Sequence, residues 1–147
     1  METISSYMEK DHKRCDEFFA DAEQAVSEKD WERAEEEFHR FYQAINHHFS
    51  MEEEELFPAL ETAAGGPMGP TQVMRMEHEQ MRGLFAEMEQ ALSGRDADAF
   101  LGAAETLLIL MQQHNAKEEQ IVYPLSDQLL ESRQGEVLEQ MQAMAQA

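Results

Sequence analysis

The sequence predicts an all-α fold: an up-down-up-down four-helix bundle with an internal pseudo-twofold repeat and a short C-terminal helix. Three observations predict it. Apolar residues recur at three- and four-residue steps through long stretches free of Gly and Pro. Turn residues cluster at only three places. The chain also superimposes on itself, without gaps, at an offset of 66 residues.

The first helix spans roughly 3–28. It ends at Ser27-Glu28-Lys29-Asp30, where Asp30 can cap a helix beginning at Trp31. The second, 31–61, carries the stripe Phe38, Phe41, Tyr42, Ile45 and Phe49. Gly65, Gly66, Pro67, Gly69 and Pro70 then break the chain, with Thr71 as the expected cap of a third helix, 71–92. Its stripe is Leu84, Phe85, Met88 and Leu92. Ser93-Gly94-Arg95-Asp96 makes the next turn, and Asp96 caps a fourth helix, 97–131. Short connections make sequence neighbours antiparallel. Residues 1–131 form the bundle. Residues 132–147 form a tail that packs on it or extends from it, with Val137, Leu138, Met141 and Met144 on one side. The 11 methionines read as adaptable core filler.

Composition narrows the function classes. The chain has 147 residues, enough for one domain with its own core. A net charge of −20 opposes phosphate backbones and anionic lipid, so neither a nucleic-acid nor a membrane partner is expected. The first residues, METISSYMEKDHKR, hold no apolar run of the secretory kind. Cys15 is the single cysteine, which excludes an internal disulfide; a cytoplasmic location is the expectation.

The repeat exposes a set of candidate ligands. His12 falls on His78, His48 on His114, Glu52-Glu53 on Glu118-Glu119, and Phe57-Pro58 on Tyr123-Pro124. Within each hairpin the histidines lie 18 residues either side of the capping aspartate. At 1.5 Å per residue both sit about 27 Å from their turn, so they share a level in an antiparallel pair. Each hairpin also carries His-x-x-x-Glu, whose ends share one helix face. The twofold then gathers His12, His48, Glu52, His78, His114 and Glu118 at one level, with the 62–70 loop absorbing an offset between hairpins.

Four imidazoles and two carboxylates are costly to bury unless they hold a cation. This donor set suits iron, manganese or zinc better than calcium. Four imidazoles and two bridging glutamates supply about eight bonds, against about twelve for two six-coordinate ions. A bridging oxide or hydroxide adds two and leaves about two open positions for small molecules. Glu55, nearly in line with His48, is an additional ligand candidate, and Cys15 is either an additional site residue or small core filler. His39 and His47 have no histidine partner at the offset and fall outside the site.

The segments Asp11-His12, HHFSMEEEELFP at 47–58, Glu77-His78 with Arg82, and HNAKEEQIVYP at 114–124 resemble the hemerythrin-like (HHE cation-binding) family. The resemblance covers residues 12–124. It implies a four-helix bundle around a non-haem centre of two Fe ions, oxo- or hydroxo-bridged, with the six residues above as ligands and the two glutamates bridging. The oxygen-carrying members look to have a fifth histidine on the third helix and an aspartate where Glu118 stands; here Met74 and Arg82 occupy the candidate places. The expected function is therefore binding of O2, NO or a peroxide for sensing, storage or stress protection, rather than plain oxygen carriage. Two alternatives stand beside it. One is a di-iron enzyme, peroxidase-like or NO-reducing, or an iron-donating repair factor; no distinct proton-donor pair stands out for it, and Tyr7, Cys15 and Glu55 are the only nearby candidates. The other is a structural or zinc-binding bundle.

Overall fold

The computed structural model describes residues 2–144. Helix α1, Ile4–Ser27, opens on a reciprocal cap in which the Thr3 and Ser6 hydroxyls each accept from the other's backbone N–H. It closes in a Schellman turn: the Asp30 N–H donates to the Ala25 carbonyl at 3.0 Å and the Lys29 N–H to Val26 at 2.9 Å. Asp30 then caps α2, Trp31–Met51, accepting from the Arg33 N–H. The same turn recurs between α4, Gly69–Ser93, and α5, Ala97–Lys117, where Asp96 accepts from the Ala99 N–H. Both capping aspartates are where the sequence places them.

Two of the expected helices are not continuous. A five-residue π turn, Glu52–Leu56, separates α2 from α3, Phe57–Ala63. A second, Glu118–Val122, separates α5 from α6, Tyr123–Leu129. Pro58 and Pro124 supply the cause. Each lacks an N–H, and its ring crowds the carbonyl four residues back. The widened turn relieves this: the Phe57 N–H bonds the Glu52 carbonyl, and the Tyr123 N–H bonds that of Glu118.

Thr71 does not cap the third long helix. That helix, α4, begins at Gly69 with Pro70 in its first turn, because proline's fixed φ suits a helix start. The Thr71 hydroxyl instead contacts the Glu61 carboxylate and the Met68 carbonyl. At the other end, a 3₁₀ turn at Glu131–Arg133 leads into α7, Gln134–Gln142. The tail packs on the bundle: Val137, Leu138 and Met141 are buried, and the Gln134 side chain accepts from the Ile4 N–H at 2.9 Å. Positions 145–147 lie outside the described residues.

The four long helices pack as antiparallel pairs, α1 with α2 and α4 with α5, and contacts of α1 with α5 and α2 with α4 close the bundle. Among the described residues there is no strand, and no helix is long and apolar enough to cross a membrane. The apolar interior falls into two clusters. One, around Phe19, Phe41, Phe85 and Phe100, fills the end near the two Schellman turns. The other, around Ile4, Met8, Leu56, Phe57 and Leu60, is covered by α7. A polar layer lies between them.

Candidate metal centre

That layer is made by all six candidate ligands. His12 comes from α1, His48 from α2, His78 from α4 and His114 from α5, while Glu52 and Glu118 open the two π turns. None is more than 3% exposed. They form two overlapping groups suited to a cation: His12, His48, Glu52 and Glu118, and Glu52, His78, His114 and Glu118. The equal-height expectation holds, since the rings of His12 and His48 lie 4.6 Å apart and those of His78 and His114 lie 4.9 Å apart.

Each glutamate divides its oxygens between the groups. Glu118 Oε1 is 2.9 Å from His12 Nε2, while its Oε2 is 3.3 Å from His114 Nε2. Glu52 Oε2 is 3.6 Å from His48 Nε2, while its Oε1 is 3.0 Å from His78 Nε2. This is the disposition of two carboxylates that can bridge a pair of cations.

The outer ring nitrogens are all engaged. His12 Nδ1 donates to Glu119 at 2.7 Å, His48 to Asp11 at 2.8 Å, His78 to Glu53 at 2.7 Å and His114 to Glu77 at 2.8 Å. The four pairings obey the 66-residue offset. An Nδ1–H committed outward leaves the Nε2 lone pair of a neutral ring facing inward, as a metal requires. The acids are themselves anchored. Arg82 forks onto Glu53 at 3.0 and 2.9 Å, Arg14 holds Asp11, and Lys117 holds Glu77. Phe49 stacks on His78 with centroids 3.9 Å apart, and Arg82 lies over its ring.

The electrostatics follow from these contacts. Burial opposes ionisation of Asp11, but the hydrogen bond and charge of His48, with Arg14, hold its carboxyl at about 2. Burial likewise opposes ionisation of Glu53, and hydrogen bonds from His78 and Arg82 bring it to about 2. Burial disfavours the charged form of His114, yet Glu118, Glu52 and Glu77 raise it to about 9. His48 and His78 are raised in the same way. Without a cation, His48, His78 and His114 hold protons where a metal would go.

The residues present fit a metal on a direct structural test. Among the described residues, the buried side-chain atoms lacking any hydrogen-bond partner include Glu52 Oε1, His78 Nε2, His114 Nε2 and Glu118 Oε2. These are the inward-facing atoms of the second group. A buried unsatisfied polar atom costs roughly 1–3 kcal/mol. One cation would satisfy all four.

Several residues fall differently from, or beyond, the sequence reading. Glu55 is partly exposed and belongs to neither group. Cys15 is buried in the apolar cluster, and burial pushes its thiol up to about 12, so it is core filler. The Tyr7 hydroxyl faces the Met51 sulfur. His39 is exposed, and His47 Nε2 donates to the Met144 carbonyl at 3.2 Å. Tyr123 is the residue that sequence reasoning missed. Its hydroxyl oxygen is 2.7 Å from Glu52 Oε2, 2.9 Å from Glu118 Oε1, 3.1 Å from His12 Nε2 and 3.3 Å from His48 Nε2. An α-helical count sets it about 140° round from Glu118; the π turn brings it back to the same face. The repeat held the one available signal, a hydroxyl at Tyr123 opposite none at Phe57.

A family model described as the hemerythrin HHE cation binding domain matches residues 3–126. No curated protein and no solved structure matches the chain significantly.

Proposed function

We propose a function on this premise: the chain belongs to the hemerythrin HHE cation-binding domain family. It is a non-haem di-iron protein that binds a small molecule, O2, NO or a peroxide, for sensing, storage or protection against oxidative or nitrosative stress. The observation that carries this reading is the division of the Glu52 and Glu118 oxygens between two histidine pairs. Shared carboxylates make a binuclear centre. Mixed imidazole and carboxylate donors, four to each ion around a shared pair of carboxylates, leave positions open on six-coordinate iron.

Bound iron supplies one-electron chemistry and open coordination positions. The chain's own residues do the rest. The outward carboxylates lock each imidazole in one tautomer and orientation. Phe49 and Phe57 wall the His78 side with apolar rings. The clusters on either side of the layer keep bulk water out.

Anaerobic iron loading, with metal quantification and an absorption spectrum before and after oxidation, tests the proposal. The expected result is two irons per chain and a charge-transfer band that appears on oxidation and shifts with NO or peroxide. His78→Ala is expected to retain at most one iron. A wild-type chain that takes up no iron, or a His78→Ala variant with full iron and an unchanged spectrum, sinks the assignment.

A further inference from the structure

We infer that the Tyr123 oxygen is a protein donor to the metal of the His12/His48 half of the centre. The two metals are then unlike, and a small molecule meets the one held by His78 and His114. This rests on the di-iron reading above and adds to it.

The warrant is geometric. In an octahedral shell with bonds of about 2.1 Å, adjacent donor atoms lie about 3.0 Å apart and opposite ones about 4.2 Å apart. An apical donor therefore has four neighbours near the shorter distance. Tyr123 Oη has four, at 2.7, 2.9, 3.1 and 3.3 Å. They are one atom from each member of this half-site. Among those four, His12 Nε2 and Glu118 Oε1 stand 2.9 Å apart, as adjacent donors do. His48 Nε2 stands farther out, 3.6 Å from Glu52 Oε2 and 3.9 Å from Glu118 Oε1, the latter being the pair nearer the opposite-donor distance.

The same distances reject a simpler explanation, that the hydroxyl merely fills the metal's own place. A hydroxyl in the metal's own place would see its donors at 90° or more, and contacts of 3.3 and 2.9 Å would then hold His48 Nε2 and Glu118 Oε1 at least about 4.4 Å apart. The observed 3.9 Å is shorter, so the hydroxyl stands to one side of the pair.

The repeat supplies the contrast. Phe57 occupies the corresponding seat: its ring lies 5.9 Å from that of His78 at 23°, as the Tyr123 ring lies 5.5 Å from that of His12 at 32°. The two seats differ by one oxygen atom. The unpartnered inward atoms are confined to the Phe57 half, while Tyr123 reaches all four inward atoms of its own half. On metal loading, an oxygen lone pair of Tyr123 is donated to the cation, the O–H bond breaks, and the proton leaves to bulk water. In the other half that coordination position stays open.

The test uses the full chain loaded with iron and oxidised. Wild-type protein is expected to show a visible phenolate-to-iron charge-transfer band with resonance-enhanced tyrosine ring vibrations, and to bind one azide per centre. Tyr123→Phe is expected to lose the band and release one iron to a chelator at least ~10-fold faster. Phe57→Tyr is expected to gain a second phenolate signal and lose azide binding. Tyr7→Phe and Tyr42→Phe, at the other two tyrosines, keep the wild-type band and decide its source even if Tyr123→Phe does not fold. Two bound irons with no phenolate signal in wild type would overturn this inference and leave the di-iron reading standing. A wild-type chain that binds no iron overturns both.

Discussion

Each imidazole of the centre is gripped from behind by a carboxylate on another helix or turn. Asp11 holds His48 and Glu77 holds His114 within their hairpins, while Glu53 and Glu119 reach across to His78 and His12 in the opposite hairpin. These contacts orient the ligands and couple the two halves of the chain. Removing the charge while keeping the shape isolates that role. Asp11→Asn and Glu53→Gln are each expected to weaken metal binding by ~10–100-fold, with helicity retained. Competition against a chromophoric chelator measures this; wild-type affinity in both variants would reduce the carboxylates to surface decoration.

At the level of elements, the turns carry the strain and the π turns carry the geometry. Lys29 and Arg95 both sit at positive φ, 57° and 51°, at the residue after each helix cap. That conformation costs a residue with a side chain about 1–2 kcal/mol, less the greater entropy that glycine loses on folding. Lys29→Gly and Arg95→Gly are each expected to stabilise the fold by about 0.5–1 kcal/mol, read as a higher urea midpoint at unchanged slope. A lowered midpoint would mean that the side chains contribute more than the strain costs. The π turns matter differently. Each begins at a site glutamate, and a proline two residues past its end imposes it, so backbone irregularity and site position have one cause.

For the molecule as a whole, the buried layer links stability to pH and metal. His114 is raised to about 9 in the metal-free protein. A raised group stabilises the fold fully below its unfolded value of about 6.5, and that contribution is lost as pH rises through about 9. Asp11 and Glu53 are depressed to about 2 from 3.8 and 4.5, so their contribution is present above those values and lost as pH falls through about 2. The metal-free bundle is therefore expected to be most stable between about pH 4.5 and 6.5. Metal displaces the histidine protons, so loading releases protons and flattens the alkaline decline. Melting temperatures across pH, with and without metal, measure this. A metal-free profile that is level from pH 6.5 to 9 would contradict it.

Periodicity, caps and spacing are local properties, and they determined the helices, the repeat and the level at which His12, His48, His78, His114, Glu52 and Glu118 meet. Two aspartates equidistant from paired histidines sufficed, because an α-helix converts residue counts into height. Prolines at 58 and 124 were visible too, as matched positions of the repeat, but the segments 31–61 and 97–131 around them read as continuous helices. What the tertiary structure alone decided is rotational and cross-chain. It set which carboxylate backs which imidazole, whether the tail folds onto the bundle, and that Tyr123 joins one half of the site while Phe57 leaves the other half open. Those outcomes depend on how two hairpins turn against each other and on a local departure from 3.6 residues per turn. A sequence count that assumes a regular helix carries neither.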